Sequence, residues 1–345
     1  MKVITVYILS HKFFTGGPNS LHQLGSLLQK KGLDVRMVYT NPSLKLPDRL
    51  AVYNIPIVDS VSDISDTPEN VFIVPEDSID YLDSFKNIKK CIWWLSLHYY
   101  LIKLDRDYFI HDVIPKFPKS LYILPRLYLR IKRGRHQKYY IPQPDDGIFH
   151  LYNCEYVRQY LEDCGVPSAN MCYSCGPIES IYHQPNDISI KENIVLYNPK
   201  KGYEFTKKIL SRLNKLGVKT IPIQNLTAPE IKSLMDRSKV YIDFGFFPGY
   251  ERIPREAVIS NCTILTSRTG AAANNVDIPI PDDFKIESKD ENIDIIINKI
   301  EYMLDHYSEI LPIYESFRIK VKMESTFLDN GADTFIKFMH LHSQE

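Results

Sequence analysis

The residues best placed to do chemistry lie between Lys239 and Gly270, in the segment KVYIDFGFFPGYERIPREAVISNCTILTSRTG. An apolar run, Val240–Phe244, gives way to a Gly/Pro turn that carries Pro248, Gly249, Tyr250, Glu251, Arg252, Pro254 and Arg255. A short helical stretch with Glu256 follows, and then a second apolar run, Thr263–Thr266. Charged groups on a turn at the carboxyl end of a buried strand stand where open α/β sheets bind ligands, because side chains and helix-start amides converge there. The chemistry to expect is the binding of an anion. Asp243, directly after its strand, has the position of a nucleophile for a double displacement. Glu256 has a bland role open to it as well, since a carboxylate at a helix start is a favourable dipole partner.

Other residues invite similar readings. Lys201, with Lys200 beside it, sits on a loop that opens the second half of the chain, and with one of Arg252 or Arg255 it can clamp phosphates while the amides of Gly249 and Tyr250 complete a cradle; a solvated lysine pair is the alternative. The main rival for the arginines is a structural ion pair with Glu251 or Asp243. Gly16 and Gly17 precede an expected helix start at Asn19 or Ser20, and glycines there allow close backbone approach to an anion. His98, in WWLSLHYY after a buried strand, is of a type that can position a hydroxyl or shuttle a proton, and a packed histidine beside Trp93 and Trp94 is an equal reading. Glu155, in HLYNCEY, is a further acid of the same kind. The Cys172-x-x-Cys175 pair lies in an expected strand-to-turn segment and lacks the converging ligands a metal needs; no metal is expected.

These groups need a scaffold, and its elements alternate twice over. Strand-length apolar runs fall at Val3–Leu9, Asp34–Tyr39, Val71–Pro75, Cys91–Leu95 and Gly147–Leu151. Between the first two, Asn19–Lys31 carries Leu21, Leu24, Leu27 and Leu28 on one helical stripe, which makes a β-α-β unit. After Gly176-Pro177 the alternation restarts: strand Ile194–Tyr197, helix Tyr203–Leu216, strand Thr220–Ile223, a helix opened by the capping box Thr227-x-x-Glu230, then strands Val240–Phe244 and Thr263–Thr266. Helical patterns at Ile293–Tyr307 and Asp333–His342 finish the chain. The expected fold class is α/β with two Rossmann-like domains. Their predicted bounds are 1–180 and 181–325, with 326–345 a helix returning to the first.

Composition narrows the function classes. With 345 residues, 44% hydrophobic and 24% charged, the chain reads as an ordinary globular protein of two domains. Lys plus Arg balances Asp plus Glu at 42 each, so no global field attracts nucleic acid and no nucleic-acid partner is expected. The opening MKVITVYILSHKFF meets charge too early for a signal peptide or a membrane span, which predicts a cytoplasmic protein with its 6 cysteines reduced. The segment 121–140, LYILPRLYLRIKRGRHQKYY, mixes cations, tyrosines and leucines in a way that suits an anionic bilayer surface, although a solvated helix accounts for it equally well.

Four segments, in order, resemble glycosyltransferases of the GT-B fold, in particular retaining nucleotide-sugar enzymes that build bacterial surface polysaccharides. They are HKFFTGGPNSLHQLGSLLQKKGLDVRMV, NPKKGYEFTKKIL, QNLTAPEIKSLMDRSKVYIDFG and PGYERIPREAVISNCTILTSRTG; the last is also similar to a group with a Pro-Gly-x-[Asp/Glu]-Arg-Ile-Pro-Arg-Glu-Ala signature. The resemblance implies two domains facing across a cleft and a C-terminal helix packing back on the first. It further implies a nucleotide-sugar donor, a glycan or lipid-linked glycan acceptor, no cofactor, and a protein peripheral at the inner membrane face. Donor contacts would come from Gly16, Gly17, Lys200, Lys201, Asn225, Leu226, Gly249, Tyr250, Arg252, Arg255 and Glu256, with Glu256 on the ribose and Asn225 and Leu226 at the base. Catalytic candidates are His98, Glu251 and Asp243. One departure stands out: in the family's Glu-x7-Glu pattern the later glutamate is Glu256, but the earlier position holds Pro248. Alternatives are a transferase using a CMP-linked acidic sugar, a silent nucleotide-sugar or glycan-binding protein, and an epimerase of the same fold.

Overall fold

The computed structural model describes residues 4–104 and 140–341, so most of the basic segment 121–140 lies outside the described residues. The chain divides into two compact units, the first made of residues 1–152, 159–172 and 332–345, the second of 153–158 and 173–331.

The first unit is built on β1 (Thr5–Ser10), β2 (Asp34–Tyr39), β3 (Ile57–Val58), β4 (Val71–Pro75), β5 (Lys89–Trp94), β6 (Ile148–Tyr152) and β7 (Met171–Tyr173). They form one sheet in the order β3-β2-β1-β4-β5-β6-β7, and the pairs from β3 through β6 run parallel. All five residues of β4 are buried, as expected of a central strand covered on both faces. The short edge strand β3 has only two residues, too few for an apolar run to announce it. The helix between β1 and β2 spans Gly16–Lys30 and buries Leu21, Leu24 and Leu28 on its predicted stripe. Its start corrects the expectation of Asn19 or Ser20. Gly16 and Gly17 are themselves the first turn, entered from an extended Thr15, and Pro18 costs nothing there because early helical N–H groups have no intrahelical partner.

The final helix is longer than its apolar pattern suggested, Glu324–Leu341. Its last part belongs to the first unit: Phe338 stacks on Phe149 at 4.2 Å between ring centres, Phe335 is buried beside them, and Lys31 pairs with Asp333 at 2.7 Å.

The second unit holds β8 (Glu192–Tyr197), β9 (Lys219–Pro222), β10 (Ser238–Asp243) and β11 (Thr263–Thr266) in the order β11-β10-β8-β9, all parallel. Helices Tyr203–Lys215, Ala228–Arg237, Arg252–Ile259 and Ile293–Asp305 accompany them. The predicted capping box is present, with the Thr227 N–H donating to Glu230 at 2.7 Å.

In each unit the strand order reverses once. The chain runs β1-β2-β3 to one side and then starts β4 on the other flank of β1; likewise β9 lies on one side of β8 and β10 on the other. Such reversals are where loops at the carboxyl ends of parallel strands separate and leave room for a ligand.

Candidate functional site

In the second unit, the reversal between β8 and β10 brings together the loop Asn198–Gly202 and the loop Phe244–Glu251. Two glycines make their approach possible. Gly202 has φ of +57°, and a Cβ there would sit 2.5 Å from the Phe244 carbonyl oxygen; a Cβ on Gly245 would collide with the Lys201 side chain. Gly202 is also the N-cap of helix Tyr203–Lys215 and has no side chain to cap with, so the first amides of that helix remain for water or an anion.

Lys201 lies on this edge. Its Nζ is 2.5 Å from Glu251 Oε2, and each side chain keeps about a quarter of its surface exposed, 25% and 24%. Lys200 is exposed, its N–H turned onto Asn198 Oδ1 at 3.0 Å. Asp243 is buried at the end of β10, where Oδ1 accepts the Gly245 N–H at 3.0 Å and Oδ2 accepts the Tyr241 hydroxyl at 2.8 Å. Burial pushes its carboxyl up to about 6 in spite of the opposing Lys201 charge. Both oxygens therefore already brace the β10 loop. Ser267 and Thr269, after β11, hold the Gly245 carbonyl from the other side.

The helix Arg252–Ile259 opens next to this loop. Arg252 forms ion pairs with Glu256 and Glu179, both at 2.8 Å. Glu256 is 4% exposed, and burial raises its carboxyl above the usual range against the pull of Arg252 and Arg255. Arg255 is an interior residue, also 4% exposed. It pairs with Glu324 at 2.9 Å, donates to the carbonyls of Gly176 and Glu251 at 3.0 Å each, and lies 4.4 Å from the ring centre of Tyr250. Burial would push its guanidinium down, but the Glu324 carboxylate, with Cys175 and Tyr250, outweighs it and holds the group above the ordinary arginine value. The expected structural ion pair thus exists with partners other than Glu251 or Asp243. Gly249 and Tyr250 are buried in the same turn. Asn225, with φ of +55°, and the half-buried Leu226 follow β9 at the same carboxyl edge of the sheet.

In the first unit, Gly17 lies against Leu95, which follows β5. His98 comes three residues later, half-buried on the opening turn of helix Leu97–Leu104. Glu76, at the end of β4, is 5% exposed and accepts the Leu95 N–H at 2.8 Å. Burial pushes it up to about 7, with backbone donors opposing and Asp77 adding to the rise. The sequence pattern did not single out Glu76, Asp77 or His11, because they lack the combination of a Gly/Pro turn and a run of mixed charges that marked the segment after Asp243. Glu155 is tied to its own helix by Arg158 at 2.5 Å, and Asp277 caps that helix through the N–H groups of Glu155 and Tyr156. All six cysteines are unbridged, and no metal-ligating cluster occurs among the described residues. Among those residues no helix is long and apolar enough to cross a membrane.

No protein-family model matches this sequence, and no curated protein is recognisably similar to it. Solved structures are. A glycosyltransferase from Rickettsia africae superposes with a TM-score of 0.62 at 11% identity over 98% of this chain and 99% of that one. Anabaena HepE in complex with UDP-glucose gives 0.60 at 11% identity over 97% and 100% of the two chains. Sucrose-phosphate synthase from Thermosynechococcus elongatus gives 0.62 at 11% identity over 99% and 98%. Two parallel sheets, each with one reversal of strand order, and likeness along the whole chain lead to one conclusion about architecture: this protein has the GT-B fold.

Proposed function

We propose that the protein is a glycosyltransferase that moves a sugar from a nucleotide-diphosphate donor to a hydroxyl of a glycan or lipid-linked glycan in bacterial surface polysaccharide synthesis. The observation that carries the reading is the edge of the second sheet, where Lys201 and the uncapped start of helix Tyr203–Lys215 stand at the β8/β10 reversal. A leaving diphosphate gains charge, and without a metal it must be met by cations and oriented N–H groups. Lys201 can supply the cation if it exchanges Glu251 for phosphate. Arg252 and Glu256 would then act as a braced pair near the ribose, and Asn225 and Leu226 would flank the base. Glu251, released from Lys201, becomes available to the transferred sugar, in the role that Pro248 cannot fill. HepE was solved with UDP-glucose and with UDP, which makes uridine the first base to try.

A thermal-shift screen against UDP, GDP, TDP and CMP, followed by assay of nucleotide release from the matching sugar donors, tests this. One nucleotide should raise the melting temperature clearly above the others, because a ligand that binds only the folded state stabilises it. No shift with any of them would refute the reading. A CMP preference would favour the acidic-sugar alternative, although Arg252 and Arg255 are already engaged by carboxylates of this chain. The basic segment 121–140 extends the proposal to an anionic membrane surface; flotation with liposomes that contain or lack anionic lipid tests it. The resemblance implies retention of anomeric configuration, with the leaving phosphate taking the acceptor proton.

A further inference from the structure

The carboxyl edge of the second sheet also carries an aromatic side chain that the phosphate contacts leave unused. Tyr203 is the first residue of helix Tyr203–Lys215, directly after the left-handed Gly202. It stands on the same helical stripe as Thr206, Leu210 and Leu213, all three buried. Side chains on a helix lean toward its N-terminus, so a residue of this stripe in the first turn reaches past the ends of the strands instead of onto them. Tyr203 accordingly keeps 42% of its surface exposed while the rest of the stripe is covered.

Its footing is fixed on both sides. Phe205 meets Phe244 edge-on at 5.5 Å between ring centres, and Thr206 Oγ1 donates to the Gly202 carbonyl at 3.0 Å. Tyr197, half-buried at the end of β8, lies within electrostatic reach: burial raises its hydroxyl above the ordinary phenol value, and the Tyr203 phenol adds to the rise. The Tyr197 carbonyl accepts the Ile223 N–H at 2.9 Å and so holds the turn that leads to Asn225. Lys201, Tyr203 and Asn225 are thus gathered at the ends of the adjacent strands β8 and β9, all within the second unit.

We propose that Tyr203 is the platform on which the nucleobase of the donor stacks, while Lys201 and the first amides of the same helix hold the diphosphate. This deepens the transferase reading above and rests on it. A phenol ring offers its face to any base, and the exposed edge of the base is left for the main chain at Asn225 to read. Lys201 and Tyr203 are separated by one residue, so charge and ring address the two ends of one nucleoside diphosphate.

Calorimetry with two probes tests this: the nucleoside diphosphate selected by the thermal-shift screen, and inorganic pyrophosphate, which carries the charge without the base. Tyr203→Ala should weaken nucleotide binding about 10- to 100-fold, the scale of one base–aromatic stack, and leave pyrophosphate affinity within about twofold. Tyr203→Phe should keep nucleotide affinity within about threefold, because the ring stacks with or without its hydroxyl. Tyr203→Trp should also bind, and the emission of its added indole should be quenched by the nucleotide and not by pyrophosphate. A Tyr203→Ala protein that binds nucleotide as wild type does, or that loses pyrophosphate as steeply as nucleotide, overturns the platform, as does an indole emission that the nucleotide leaves unchanged. A wild type that binds neither probe overturns the transferase reading itself.

Discussion

Replacing Arg255 by methionine separates a residue that binds ligand from one that holds the fold. In wild type Arg255 is 4% exposed and its guanidinium faces Glu324, which is 1% exposed; Glu324 Oε2 also accepts the Ile178 N–H at 3.0 Å. Methionine fills much of the space but leaves that carboxylate buried without its cation, and it strands the Gly176 and Glu251 carbonyls. Breaking a buried pair in this one-sided way costs about 3–5 kcal/mol. Urea unfolding of Arg255→Met should show a loss of this size. Arg255→Met/Glu324→Gln should recover most of it, since the amide oxygen still accepts from Ile178 while the unpaired charge is gone. Calorimetric affinity of the native variants for the selected nucleotide should stay within about twofold, a few tenths of a kcal/mol. The reasoning fails if Arg255→Met costs under about 1 kcal/mol of stability and weakens nucleotide binding tenfold, about 1.4 kcal/mol. Arg255 would then be a phosphate clamp after all.

Lys201→Ala should weaken nucleotide binding about 10- to 100-fold, the worth of a charge-assisted hydrogen bond, as read by calorimetry. Glu251→Gln should tighten nucleotide binding a few-fold by freeing Lys201, yet lower turnover; unchanged values for both would exclude Glu251 from the site. Asp243 has its carboxyl raised from 3.8 to about 6 on folding. Its ionised form therefore opposes the fold: there is no penalty below the unfolded value, and stability falls as pH rises through about 6, by about 3 kcal/mol in full. Asp243→Asn, whose oxygen can still accept from Gly245, should stabilise the protein at about pH 8 and leave it unchanged at about pH 4. Equal urea midpoints at the higher pH would refute this. Gly202→Ala should cost about 1–3 kcal/mol in the same assay, because a left-handed backbone and the Phe244 carbonyl both oppose a Cβ.

The α/β class and the order of elements were legible because they depend on short-range patterns. The runs Asp34–Tyr39, Val71–Pro75 and Thr263–Thr266 are strands within the bounds read from the sequence, and the Thr227-x-x-Glu230 box opens its helix as spaced. Asp243 and Glu251 were named as candidates because a charged turn after an apolar strand is a local feature, and Lys201 because it opens the second half of the chain; the structure brings Lys201 onto Glu251. Helix ends were less legible. Glycine propensity argued against a helix at Gly16 and Gly17, yet the packing of Leu21, Leu24 and Leu28 carries the helix back through them.

Partnership was what the sequence left open. It offered Arg252 and Arg255 as equivalent cations on one turn. The tertiary structure instead places Arg255 in the interior against Glu324 and sets Arg252 between Glu179 and Glu256. The charges decide this only once distant segments meet, since a cation removed from water must be paired. The first sheet shows the same division. His11 lies 2.6 Å from Thr40 Oγ1 and 2.9 Å from Asp77 Oδ2 because parallel pairing sets β2, β1 and β4 side by side and ends them at one edge. Strand pairing is a long-range choice, so the sequence determined which segments are strands and turns, and only the folded sheet determined which side chains stand within a hydrogen bond of one another.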